Sequence, residues 1–299
     1  MSNEPIPTPK RNFISQIFVS SDEPRLRAGW RVLIQFVLYL FLGIVVFIIS
    51  NTLGLGGSSV FDRVLDFAAI TGSVYACRRW LDKRSFESLG LRLNRQTWID
   101  ILAGIGITLV QMAFIFIAML AARWLTFEGF AWQFDPVSTV ISGVVTFFVV
   151  FIFVGWNEEL LSRGYQLQNI ASGTNLFLGV VLSSSVFGLL HLGNPNATWV
   201  SVLGIFFAGV FLTYGYIRTK QLWLSIGLHI GWNFFEGVVF GFPVSGLDIY
   251  PLTRIEVHGP ELWTGGAFGP EAGLIVLPSL IVGGLLIWWF TRNRILDQR

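Results

Sequence analysis

Two acids and an arginine, Glu158, Glu159 and Arg163, stand in a run that otherwise has the composition of a membrane helix, VVTFFVVFIFVGWNEELLSRGYQLQ over residues 144–168. A charged side chain at the bilayer centre costs at least about 2.5–3.5 kcal/mol on insertion scales. Acids at such depth by default face a protein-lined, water-accessible cavity. Glu159 and Arg163 are four apart, so they share a helix face and can pair. Glu158 is turned about 100° from Glu159 by helix geometry. It has no cation three or four residues away on either side. It is therefore the acid left to act, and an acid in an apolar cavity suits a general base. The plainer alternative is a polar cluster that only ties helices together.

Two further apolar segments offer partners. In SSSVFGLLHLG, His191 follows Phe187 by four. In LWLSIGLHIGWNFFEGVVF, His229 and Asn233 are four apart, and Glu236 lies near the same face. Gly227 and Gly231 have GxxxG spacing, which permits close helix approach on an adjacent face. The third histidine, His258, falls in a loop and reads as an ordinary surface residue. A glutamate can take a proton from water, and a neighbouring imidazole can hold that water. An Asn amide and a His N–H can stabilise an oxyanion. Together they suit water attack on an amide, with no hydroxyl or thiol nucleophile. Ser183 to Ser185 carry no nucleophile signature and read as small residues that let a helix come close. Zinc is a rival, since two His and a Glu can ligate it. The HExxH pattern is absent, so its ligands would come from three helices without diagnostic spacing.

The elements that must position these groups are membrane helices. The chain has 299 residues, 53% hydrophobic and 13% charged, with mean hydropathy +0.65. Soluble domains carry about 25% charged residues. The fold class expected is all-α, a polytopic membrane protein. A net charge of +2 gives no reason to expect a nucleic-acid partner. The single cysteine, Cys77, allows no intrachain disulfide and reads as a small apolar residue. Runs long enough to span number about eight, at roughly 30–50, 60–77, 98–122, 140–168, 175–192, 198–217, 221–240 and 272–291. The second is short and opens with Asp62, Arg63 and Asp66.

Lys and Arg set the expected orientation. They gather in the first tail (Lys10, Arg11, Arg25, Arg27), after the second span (Arg78, Arg79, Lys83, Arg84, Arg92, Arg95), after the sixth (Arg218, Lys220) and at the end (Arg292, Arg294, Arg299). With eight spans all four lie on one side, which predicts both termini cytoplasmic. The basic residues in the tail, the second loop and the sixth turn are expected to contact anionic lipid head groups. No cleaved targeting segment is expected, and the tail reads as disordered to about Asp22. Residues 1–29 form a polar tail, 30–291 one membrane domain and 292–299 a second tail. The Gly- and Pro-rich loop 241–271 reads equally as a lid or as a connector. Depth along each helix puts Glu158 at ~18 Å, His229 at ~14 Å and His191 at ~24 Å from the inner side, compatible with one site near mid-membrane.

The three pieces have a recognisable arrangement. EELLSR fits EExxxR, FGLLH fits FxxxH and HIGWN fits HxxxN, in that order on successive segments. This resembles the CPBP family of intramembrane proteases, also called the Abi or CAAX-protease-like family. SFESLGLRL, residues 85–93, is similar to the Leu-Gly-Leu stretch that often precedes the family core. The resemblance covers about residues 85–240. It implies an eight-helix intramembrane glutamic endopeptidase acting on a membrane-associated or lipidated protein or peptide, with no cofactor. It implies that Glu158 activates water with His191, that His229 and Asn233 form the oxyanion site, and that Glu159, Arg163 and Phe187 support them. If the chain is bacterial, the plasma membrane is the expected location. A non-catalytic membrane partner or bacteriocin-immunity protein, a zinc peptidase and a proton-coupled carrier are the alternatives.

Overall fold

The computed structural model describes residues 13–20, 25–52, 54 and 59–294. The helices are α1 (Phe13–Phe18), α2 (Ala28–Thr52), α3 (Ser59–Ala76), α4 (Arg95–Ala121), α5 (Val137–Glu159), α6 (Leu167–Gly173), α7 (Leu176–Leu190), α8 (Trp199–Thr219), α9 (Trp223–Asn233), α10 (Glu261–Thr264) and α11 (Val276–Thr291). Each of the eight expected runs coincides with a helical segment. Five segments are long and apolar enough to cross a membrane, namely α2, α4, the continuous helix Val137–Gly173, Leu176–Gly193 and α8. The chain is an all-α polytopic membrane protein. Lys10, Arg11, Asp22 and Arg299 lie outside the described residues, as does most of the expected disordered tail; residues 13–18 of that tail are helical.

α9 is the centre of the bundle. All of its residues are buried, against α4, α5 and α8. Close approach explains how. A Cβ built on Gly104 of α4 would stand 2.5 Å from the Leu228 amide nitrogen, and Gly227 and Gly231 press on the α4 backbone at Ile101 and Ile105. The GxxxG face thus packs on α4. Ser184 of α7 likewise meets Gly209 of α8. The Asn94 side chain starts α4 by accepting from the Gln96 and Thr97 amides, at 2.8 and 3.2 Å.

The basic segments meet at one end. The Leu222 amide donates to Gly90 O at 2.8 Å, and Trp223 Nε1 donates to Arg92 O at 2.8 Å. Gly90 has φ +99° with the 220–222 backbone against it, so this turn needs glycine. Its flanks, Leu89 and Leu91, are buried in the core. Arg294 reaches Asp100 at the same end, at 2.6 Å. One expectation is corrected here. Arg78 is buried, 2.9 Å from Asp82, and Arg31 binds the same carboxylate at 2.8 Å. Desolvation makes a buried carboxylate a better partner for Arg78 than any lipid head group.

At the opposite end a small antiparallel sheet interrupts the all-helical expectation. β1 (Leu125–Phe130) pairs with β2 (Thr253–Val257), with a register shift between Phe127 and Gly129. The loop 241–271 is neither a plain lid nor a plain connector. It holds β2 and α10, and Val244, Ser245, Leu247, Asp248, Ile249 and Glu271 form part of a cavity wall.

Candidate active site

Glu158 and Glu159 close the α-helical part of α5. The next seven residues, Leu160–Gln166, continue as a π-type turn before α6. Such wider turns are rare and frequent at functional sites. A second one, Phe234–Val239, follows Asn233 directly. Both begin immediately after residues of the motifs.

Glu159 is fully buried. Its Oε1 accepts from Arg163 Nη1 at 2.8 Å and stands 2.8 Å from His229 Nδ1. Arg163 also donates to Gly209 O at 3.0 Å. Its guanidinium lies 4.3 Å from the Phe187 ring centre. That ring lies edge-on to both imidazoles, at 5.0 Å from His191 and 6.1 Å from His229. Phe187 therefore packs against Arg163 and both imidazole rings.

The two imidazoles are held from behind. His191, at the C-terminal end of α7, places Nδ1 2.8 Å from Phe187 O. A carbonyl can only accept, so Nδ1 carries the hydrogen and Nε2 is free. His229 has the Glu159 carboxylate on Nδ1, which fixes its ring in the same way. Both Nε2 atoms then face one oxygen. Glu158 Oε2 is 3.9 Å from His191 Nε2 and 3.7 Å from His229 Nε2. That oxygen is buried and has no hydrogen-bond partner among the described residues.

Glu158, His191, His229, Asn233 and Phe187 all line one cavity of about 700 Å³. Glu159 and Arg163 stand behind its wall. The three motifs are thus brought together, although the depth estimates differed by several ångströms. Glu236 is fully buried and is not among the cavity-lining residues, despite its spacing from His229. His258 is 3.2 Å from Thr126 Oγ1 beside the sheet, away from the cavity.

Sequence reasoning overlooked several cavity residues. Glu271 comes from the long loop and accepts from Trp232 Nε1 at 3.0 Å and Ser245 Oγ at 2.5 Å. Nothing local marks it, since its partners lie 26 and 39 residues away. Asn157, Ser162 and Gln166 lie on the motif helix itself and face the cavity. Their spacing from Glu158 could have found them. The Glu159–His229 contact was also missed, because Glu159 was assigned to Arg163 alone.

Residues 140–235 match the family described as Type II CAAX prenyl endopeptidase Rce1-like. That stretch contains all three motifs. A curated relative, "Putative membrane peptidase YdiL" of Bacillus subtilis (strain 168), is 29% identical over 130 residues. The match covers 43% of this chain and 49% of that protein, so the chain spans about half the length of that relative.

Proposed function

We propose, from the match of residues 140–235 to the Rce1-like family and from the similar putative membrane peptidase, that this protein is an intramembrane endopeptidase of the CPBP, or CAAX-protease-like, kind using glutamate-activated water. One observation carries the reading. A buried, unpartnered carboxylate oxygen faces two imidazole nitrogens at 3.7 and 3.9 Å. Those separations are too long for direct hydrogen bonds and suit one bridging water.

In this reading Glu158 takes a proton from that water, and His191 Nε2 accepts its other hydrogen and aims the lone pair. The nucleophilic oxygen attacks the scissile carbonyl. The Glu159 carboxylate supports the doubly protonated His229 ring, whose Nε2–H donates to the developing oxyanion beside the Asn233 amide. Glu158 then delivers its proton to the leaving amine. Arg163 and Phe187 hold Glu159 and the rings in register. The substrate is a membrane-associated or lipidated protein or peptide, and the bilayer is the protein's medium. For a bacterial chain that is the plasma membrane.

Zinc is the second reading, because metal-bound histidines also tie their far nitrogen to a carboxylate or carbonyl. A tetrahedral zinc would place N and O ligands about 3.3 Å apart, against 3.7 and 3.9 Å here. The proposed steps use no cofactor, and the chelator comparison below decides between the two readings.

The test is purified protein in detergent with a library of quenched peptides, some lipidated, beside Glu158→Gln and with and without chelator. Cleavage lost in Glu158→Gln and indifferent to chelator is expected, with a fall of at least about 100-fold. Cleavage abolished by chelator and restored by zinc would replace this mechanism with the metal one. A phenotype that survives Glu158→Gln would favour a non-catalytic or immunity role.

A further inference from the structure

The cavity-lining face of the motif helix changes character along its length. Phe147, Val150, Phe151 and Val154 line it toward the Val137 end. Asn157, Glu158, Ser162 and Gln166 line it toward the other end. Leu161 is the one apolar residue within that polar half. Glu158 sits near the boundary.

Asn157 and Gln166 are each only 4% exposed. Asn157 Oδ1 and Gln166 Oε1 are buried without a hydrogen-bond partner among the described residues. A buried polar group left unbonded costs about 1–3 kcal/mol, and native proteins leave few. Neither amide takes part in the water-activating chemistry above. Neither belongs to the ion-pair network behind it. Both residues line the cavity that holds the reacting groups.

A primary amide offers one acceptor and two donors. That is the complement of a peptide main chain, which offers alternating N–H and C=O groups. Asn157 and Gln166 are nine positions apart, at most roughly 13 Å along the axis at 1.5 Å per residue, since the wider π-type turn Leu160–Gln166 rises less per residue. An extended peptide rises about 3.3 Å per residue. About four residues of extended substrate therefore reach from one amide to the other.

We propose that Asn157 and Gln166 form a main-chain-binding subsite that holds about four residues of extended substrate on one side of the scissile bond. Ser162, between them in sequence, lines the same cavity. The apolar half of the stripe then receives the apolar or lipidated side of the substrate. The subsite rests on the endopeptidase reading for its purpose, but its binding does not depend on turnover.

The experiment uses full-length protein carrying Glu158→Gln, so that peptide is bound and not cut. The probe is a fluorescein-labelled octapeptide of alternating Ala and Leu, read by anisotropy in detergent. A matched set carries single N-methyl groups at successive positions. Asn157→Leu and Gln166→Leu are each expected to weaken binding roughly two- to tenfold. N-methylation within one block of about four residues should weaken binding to the parent and leave the leucine variants less affected. The thermal midpoint of each leucine variant should match or exceed the parent's, because an unbonded buried amide has been replaced by an apolar side chain of similar size.

A midpoint several degrees lower would mean that the amides hold the fold through internal water, and would overturn the subsite. Equal binding by parent and variants, or no binding by the parent, would overturn it as well. Failure of cleavage by protein that has Glu158 intact, with the binding pattern as expected, would instead count against the catalytic reading alone.

Discussion

At Glu159 a single carboxylate oxygen serves both Arg163 and His229, each at 2.8 Å and all three groups buried. Glu159→Gln would leave the Arg163 guanidinium without its countercharge. Removing one partner of a buried pair costs about 3–5 kcal/mol. Chemical denaturation in detergent should show a loss of that size. Glu158, one residue earlier, is 33% exposed at its side chain, and its Oε2 has no hydrogen-bond partner among the described residues. Its Gln variant should unfold within about 0.5 kcal/mol of the parent, while turnover collapses. A Glu158→Gln variant as unstable as Glu159→Gln would show that the two acids share one structural role. Stability then separates the two neighbours where sequence position cannot.

Among the elements, the α4–α9 contact decides whether His229 and Asn233 stand where the chemistry needs them. It is a backbone-to-backbone contact, licensed by Gly104, Gly227 and Gly231. Gly104→Val places branched carbon against the Leu224 and Leu228 backbone. Overpacking of this kind costs about 1–3 kcal/mol. Because α9 carries two site residues, we expect a lower thermal midpoint together with reduced turnover. Gly106, on the same helix, has open space around its Cβ position. Gly106→Ala should change neither property, and it is the control for helix α4.

For the whole molecule, the long loop must stay docked to keep its share of the cavity wall. Its anchor is Asp135, which accepts from Tyr250 at 2.9 Å and from Arg254 at 2.7 Å. These donors hold its carboxyl below the ordinary value of 3.8. A depressed carboxylate adds stability above its ordinary value and loses it as pH falls through the lower folded value. The parent should therefore exceed Asp135→Asn in thermal midpoint at neutral pH, and the difference should vanish in acid. A constant difference at every pH would assign the effect to packing. Topology is open to a second test. In a Cys77→Ala background, Arg79→Cys and Lys220→Cys should react with an impermeant thiol reagent from one side of the membrane, and Glu256→Cys from the other. Labelling of all three from one side would remove the proposed arrangement with both termini cytoplasmic.

The candidate site residues were legible in sequence because charge is costly in a bilayer, so EELLSR, FGLLH and HIGWN stand out against their surroundings. The helical segments were legible for a related reason, since a chain in lipid must satisfy its own backbone and does so in long apolar runs. What the tertiary structure alone decided depends on partners distant in the chain. Glu159 meets His229 across 70 residues, Glu271 meets Trp232 across 39, and Arg31 meets Asp82 across 51. β1 finds its partner only after five further helices. The π-type turns after Glu159 and Asn233 were likewise invisible, because a one-residue change in hydrogen-bond register leaves no mark on composition or spacing. Local free energy writes helices and isolated charges into the sequence, whereas the assignment of each buried polar group to its partner is settled only when the bundle closes.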